Sequence, residues 1–356
     1  MLRKLFLLCL AACIVGEVMA EPYDAYERTI PELQAAMASG AITSEQLVHQ
    51  YLTRIAAFDR AGPELSAMLY LNPRAVDQAK ALDRERQESG SRGPLHGIPI
   101  VLKDNFETHD MPTTAGSIAM QGFIPAGDGH HVRALREAGA VIIGKTNLHE
   151  FARGIETVSS LGGATRNPYD PRRNPGGSSG GTAAAVAANF AAVGMGSDTC
   201  GSIRIPAANN NLFGLRVTQG VSTTQGVIPL SHTQDVAGPL ARSMIDLVTV
   251  LDATIENASF TDHLDADSLP GARLGLLRDY LATDGPHGEV SQVIRAAAET
   301  LSDNGATIIE IEIDGLAELL RNSSVIDYEF TADIAEYLHK ADAPVQSIEE
   351  ILASGD

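Results

Sequence analysis

Apolar residues recur at helical spacing through "LVHQYLTRIAAF" (residues 47–58), directly behind Thr43-Ser44-Glu45-Gln46. Thr followed three residues later by Gln is a capping-box pattern, so a helix is expected from about Ser44. "RAVDQAKALDRERQESG" (74–90) carries a second, mostly charged helical pattern that stops at Gly90 and reads as a solvated face. From Gly93 the period changes. "LHGIPIVLKDN" (95–105) is a near-continuous apolar run bounded by Gly and Pro, the mark of a buried strand. "HHVRALREAGAVIIGKTN" (130–147) reads as helix, glycine stop, strand, and "GTAAAVAANFAAVGMGSD" (181–198) repeats that order. Later, "GARLGLL" (271–277), "VSQVIRAAAETLSDNG" (290–305) and "ATIIEIEI" (306–313) form a further strand–helix–strand unit, after a polar connection over 256–270. Alternating helices and strands predict an α/β fold with a mixed or parallel sheet surrounded by helices. No internal repeat or low-complexity segment interrupts the pattern.

The first twenty residues follow a different rule. Arg3 and Lys4 form a basic start, Leu5 to Val15 an apolar stretch too short to span a bilayer comfortably, and Val18-Met19-Ala20 a small-residue end before Glu21. The segment reads as an export signal, with a short buried helix as the plainer alternative. Leu10-Ala11-Ala12-Cys13 also matches a lipobox, which would leave a lipid anchor on Cys13. Cleavage after Ala20 would remove Cys9 and Cys13 and leave Cys200 alone, so an intrachain disulfide is not expected. The whole chain has 26 basic and 45 acidic residues, a net charge of −19. So acidic a surface argues against nucleic acid as a partner and against an anionic membrane face. No Walker pattern and no zinc-type Cys/His spacing occurs, so neither metal nor cofactor is expected.

The chemistry concentrates in glycine-rich text. "NPGGSSGG" (174–181) satisfies G-x-S-x-G around both Ser178 and Ser179, which suggests the nucleophile elbow of an α/β-hydrolase-like esterase. Such a fold needs an acid and a histidine downstream; Asp235, His232, His263, His287 and His339 are available without a recognisable context. A flexible loop before a helix is the plainer reading of the same glycines. "GSDTCGSIRIP" (196–206) holds a further serine, Ser202, after Gly201. Lys103 closes the apolar strand 95–105, where burial would lower its pKa toward that of a useful base.

Together these stretches resemble the amidase signature family of serine hydrolases. The resemblance runs from about Leu33 to Arg242, and more weakly beyond. It rests on "GPLHGIPIVLKDN", "AGAVIIGKTNLHEFA", "TRNPYDPRRNPGGSSGG", "SDTCGSIRIPAA", "FGLRVTQG" and "HTQDVAGPLARS". Lys103 precedes Ser178 by 75 residues and Ser178 precedes Ser202 by 24, spacings that fit the family. The resemblance implies a Ser-Ser-Lys triad: Ser202 as nucleophile, Ser178 as bridging serine after a cis peptide at Gly177, and Lys103 as base. It implies an oxyanion hole from the backbone N–H groups of Thr199, Cys200, Gly201 and Ser202, with Ser179 in support near Lys103. Asp198 and Arg204 are expected to brace the nucleophile loop. His149 is expected to line the pocket, and His130-His131 to start a helix rather than bind metal. The implied reaction is hydrolysis of a small-molecule or peptide amide through a serine acyl-enzyme. The amidase component of a glutamyl-tRNA(Gln) amidotransferase shares the triad and is the rival reading.

Three departures matter. Cys200 stands where the family usually has Gly, which is harmless to backbone donation only if its φ is negative; a cysteine nucleophile at 200 is the alternative. Arg216-Val217 replaces a usual Lys-Pro pair and reads as structural. Finally, "SIEEILASGD" keeps helical spacing to the last residues, and the resemblance implies a further segment that would extend the sheet and the substrate cavity. The expected organisation is a leader (1–20) and one catalytic domain (21–356). That domain comprises a helical layer over 21–90, a core over 91–255 and an incomplete C-terminal part over 256–356. A chain lacking the last elements would expose apolar surface and be poorly soluble or inactive. The sequence leaves the oligomeric state open.

Overall fold

The computed structural model describes residues 23–282, 285–321 and 323–354; the leader expected over 1–20 lies outside them. Helices α1 (Ile30–Ala38) and α2 (Ser44–Phe58) open the fold, each with a reciprocal capping box: Thr29 with Glu32, Thr43 with Gln46. A third helix, α3 (Ala75–Ser89), ends at Gly90, whose φ of 88° suits glycine. Only Ala75, Ala79 and Leu82 of α3 are buried, in keeping with its charged sequence.

Six strands make the central sheet: β1 (Met68–Leu71), β2 (Pro99–Lys103), β3 (Val141–Thr146), β4 (Val193–Asp198), β5 (Phe213–Gly214) and β6 (Val236–Ala241). Their spatial order is β1-β3-β2-β4-β6-β5. Strands β3, β2 and β4 run parallel, while β1, β6 and β5 pair antiparallel with their neighbours, so the sheet is mixed. Every residue of β2, β3, β4 and β6 is buried, which explains runs without alternation: both faces are covered. The helices α4 (His130–Glu137), α5 (Gly180–Ala187), α6 (Arg204–Asn209) and α7 (Met244–Thr254) follow in order. Buried along almost its whole length, α5 packs on β2, β4 and β6. Its Gly/Ala composition permits that approach: a Cβ on Gly181 would lie 2.2 Å from the Asn147 carbonyl oxygen.

Beyond the sheet, α8 (Gly288–Asp303) connects the parallel pair β7 (Arg273–Leu277) and β8 (Thr307–Ile311). The short α9 (Leu316–Arg321) leads to α10 (Ile326–Lys340) and α11 (Ile348–Ser354). From α10, Phe330, Ile334 and Leu338 join Leu148, Phe151, Ile228 and Leu230 in a second apolar cluster. Among the described residues no helix is long and apolar enough to cross a membrane.

The parallel register puts the C-terminal ends of β2 and β4 side by side, with Lys103 last on one and Asp198 last on the other. Open α/β sheets place their chemistry outside the carboxyl ends of parallel strands. Here α5 starts just after Ser178-Ser179 and α6 just after Ser202, so both serine loops meet that edge.

Candidate active site

Lys103 is fully buried, and its Nζ lies 2.7 Å from Ser178 Oγ and 2.8 Å from Ser197 Oγ. Burial lowers its pKa from 10.5 to about 7, against the opposing charges of Asp235 and Asp198. A substantial fraction of the amine is therefore neutral near pH 7, able to take a proton from Ser178. Ser178 is also fully buried; its carbonyl accepts from His149 N–H at 3.1 Å.

The Gly177–Ser178 peptide is cis, as the resemblance implied. The surrounding glycines are required by close packing. A Cβ on Gly177 would sit 2.8 Å from the Ile155 carbonyl carbon, and one on Gly180 would sit 2.3 Å from Thr157 Oγ1. Thr157 ties this loop together, donating to the Gly176 carbonyl at 2.7 Å and accepting from Gly180 N–H at 3.0 Å.

Ser202 sits in the neighbouring loop, 4 % exposed. Its carbonyl accepts from Ser179 N–H at 3.2 Å, which fixes the two serine loops against each other. Among the described residues the Ser202 hydroxyl has no hydrogen-bond partner, so the Ser178–Ser202 proton link is not formed in this state. Links of this kind often tighten only with substrate bound. Ser179 Oγ donates to the Ser197 carbonyl at 3.1 Å, next to the oxygen that holds Lys103.

Asp198 organises the nucleophile loop. Its carboxylate accepts from Gly201 N–H at 2.8 Å, Ile203 N–H at 3.0 Å and Arg204 Nε at 3.1 Å, with Arg216 Nη1 at 3.1 Å. Burial pushes this carboxyl up, but the bonds from Arg204 and Ile203, with both arginine charges, bring it below the usual range. Arg216, read as structural, thus braces the same carboxylate as Arg204. The arrangement changes the expected oxyanion set. The Gly201 N–H is committed to Asp198, leaving Thr199, Cys200 and Ser202 as backbone donors without an acceptor among the described residues.

Cys200 is not among the described non-glycine residues with positive φ, so the residue suits its position. Its thiol is exposed, and desolvation together with the Asp198 charge pushes its pKa up. That is the wrong direction for a thiolate nucleophile. Gly201, at φ 152°, would drive a Cβ to within 2.7 Å of Ile205 Cδ1.

The elbow reading lacks its histidine. His232 Nδ1 lies 3.0 Å from Asp333, His149 Nδ1 accepts from Glu156 N–H at 3.3 Å, and His339 faces Gln346. No histidine side chain bonds Ser178 or Ser179 among the described residues. His149 is half-buried beside the Ser178 loop; burial lowers its pKa, and the Lys103 charge adds to this. His130 and His131 open α4, and His131 Nε2 faces the Thr223 carbonyl.

Two residues near the site carried no signal in the sequence, and a third, Asp235, was marked only as an available acid for the elbow. Ser197 and Asn105 contact the Lys103 network, and Asp235 accepts from the Thr199 hydroxyl and from the N–H groups of Leu230 and Ser231. Strand register and loop contacts bring them in. Two surface groups have metal-like clustering, His109/Asp110/Asp128 and His232/Glu329/Asp333. Their carboxylates are already engaged: Asp110 and Asp128 by Arg136, and Asp333 by the His232 side chain and N–H.

Similarity to known proteins agrees with this layout. The family model described as Amidase matches residues 46–355. A glutamyl-tRNA(Gln) amidotransferase component from Acidothermus cellulolyticus is 40% identical over 301 residues, covering 81% of this chain and 59% of that protein. A solved peptide amidase bound to the competitive inhibitor chymostatin is 42% identical with a TM-score of 0.87, covering 92% of this chain and 71% of its own. The native peptide amidase of Stenotrophomonas maltophilia is 41% identical with a TM-score of 0.86 over the same shares. The chain spans about three fifths of the length of the first curated relatives it matches. With residues 46–355 matching the family model and these relatives sharing both sequence and sheet, the chain belongs to the amidase family.

Proposed function

We propose that this chain hydrolyses a carboxylic amide through a serine acyl-enzyme. The observation that carries the reading is the buried Lys103 amine 2.7 Å from Ser178, with Ser202 on the adjoining loop. Neutral Lys103 takes the proton of Ser178, which takes that of Ser202 as its oxygen attacks the amide carbon. The Thr199, Cys200 and Ser202 N–H groups stabilise the resulting oxyanion. The proton returns by the same route to the leaving nitrogen, which departs as ammonia or amine, and water then releases the acid. No step calls for a metal or cofactor.

The substrate proposed is a primary amide, with C-terminal peptide amides first to be tried, because two solved peptide amidase structures are 41–42% identical to this chain. The test is a panel of primary amides, anilides and peptide amides, with Ser202→Ala as control. Turnover lost in Ser202→Ala supports the reading; turnover retained there overturns it. The amidotransferase reading is favoured by the curated relatives at 36–40% identity. It predicts hydrolysis only alongside a partner protein, whereas an amidase turns over alone.

Export is a separate proposal, supported by Arg3, Lys4 and the apolar stretch to Val15. A mature N-terminus at Glu21 in the exported fraction supports signal cleavage. Lipid on Cys13 favours the anchor instead, and an intact Met1 in the cytoplasmic fraction overturns both.

A further inference from the structure

The Lys103 amine needs more than burial. A lysine is a point charge on a flexible four-carbon stem, so its direction must be fixed from outside. Ser178 contacts the amine on one side, and Ser197 contacts it on another through Oγ at 2.8 Å and its carbonyl at 3.5 Å. A serine hydroxyl rotates freely unless something holds it. Asn105 Nδ2, which can only donate, lies 3.0 Å from that Oγ. The same Nδ2 faces the Ile228 carbonyl at 3.5 Å, an acceptor that fixes which end of the amide points this way. Asn105 Oδ1 is buried without a partner among the described residues. Burying an unpaired amide oxygen is unfavourable, and an apolar residue would avoid it. The amide is therefore kept for its donor. The Ser197 carbonyl is held too, by Ser179 Oγ at 3.1 Å.

We propose that Asn105 and Ser197 are positioning residues for the base: Asn105 fixes the Ser197 hydroxyl, and Ser197 holds the Lys103 amine against Ser178. The proposal rests on the amide-hydrolase reading and adds to it the device that aims its base. Charged groups also act on the amine: Asp198 from the end of β4, Asp235 from the loop before β6, and His149 from the loop after β3. None of them bonds it, and among the described residues its direct polar contacts are the two serines. The Ser197 oxygens accept from the ammonium and favour the charged form. Removing the hydroxyl lowers the pH at which Lys103 loses its proton, and adding a carboxylate at 105 raises it.

The experiment compares wild type, Ser197→Ala, Asn105→Ala and Asn105→Asp in the full chain, by pH–rate profile and by NMR of 13Cε-labelled lysine. Five lysines in the chain make the spectrum tractable. Ser197→Ala should move the acidic limb of kcat/KM and the Lys103 midpoint to lower pH, with kcat on the plateau reduced tenfold or more. Asn105→Ala should lower kcat at nearly unchanged KM, and Asn105→Asp should move both limb and midpoint to higher pH. A limb and midpoint unmoved in Ser197→Ala and Asn105→Asp overturn the proposal. If Ser197→Ala does not fold, Ser197→Thr and the Asn105 pair carry the test: Thr should restore the wild-type limb. Because the lysine midpoint is read without substrate, failure of the positioning pair is distinguishable from failure of the hydrolase reading, which Ser202→Ala tests.

Discussion

Replacing Lys103 with Met should make the protein more stable in mild acid and progressively less so, relative to wild type, as pH rises. Met fills nearly the same space without the amine. In the folded protein burial brings the Lys103 pKa to about 7, while the unfolded chain returns to the ordinary 10.5. The unfolded state therefore binds more protons between those values, and wild-type stability rises with pH across that window. Below the folded value the cost is complete, roughly 5 kcal/mol for a gap of this size at about 1.4 kcal/mol per unit. The Met variant escapes that cost but loses the bonds to Ser178 and Ser197, each worth about 1 kcal/mol. At pH 6 the variant should be more stable by about 2–3 kcal/mol. Between pH 6 and pH 9 the difference should swing toward wild type by about 3 kcal/mol. Urea denaturation of both proteins at pH 6, 7, 8 and 9, extrapolated to water, measures it. A difference that stays constant across that range would refute the buried, low-pKa lysine on which the mechanism stands.

Other expectations follow from the same contacts. The wild-type kcat/KM should rise about tenfold per pH unit below about 7 and level off above it, since only neutral Lys103 accepts a proton; a pH–rate profile falling above neutrality contradicts this. Asp198→Ala strips the acceptor from Gly201 and Ile203 N–H and should destabilise by on the order of 3 kcal/mol, with kcat down at least a hundredfold; thermal melts and steady-state rates check both. Gly181→Ala forces a Cβ to within 2.2 Å of the Asn147 oxygen and should cost at least about 2 kcal/mol in urea denaturation, although α5 is a helix in which Ala is otherwise favoured.

The sequence was most readable where local rules act alone. The capping box at Thr43, the glycine stop at Gly90 and the uniformly buried β2, β3 and β4 appear as their patterns require. So does the 271–313 strand–helix–strand unit. Helix α1 went unread although Thr29 and Glu32 form the same box, because its apolar stretch is short. Strand β6 went unread because "VAGPLA" carries Gly and Pro; it is a strand because β4 pairs along its whole length. The apolar strand ending at Lys103 and the glycine-rich stretches around Ser178 and Ser202 marked these positions locally, but their roles as base, bridge and nucleophile were legible only through motif resemblance. Ser197 and Asn105 escaped for a physical reason. Their approach to Lys103 depends on how the ends of β2 and β4 are aligned and on side-chain direction, neither of which spacing encodes. The engagement of Gly201 N–H by Asp198 was hidden likewise, because a loop's internal hydrogen bonds are set by its folded path.

The central claim is that Ser202, rather than Ser178, Ser179 or Cys200, attacks the amide. A fluorophosphonate probe traps an activated serine as a stable adduct, and peptide mass spectrometry locates it. The account predicts a single adduct on Ser202, absent in Ser202→Ala, undiminished in Cys200→Ser, and weakened when Lys103 is replaced. An adduct on Ser178 or Ser179, or labelling that persists in Ser202→Ala, would contradict it.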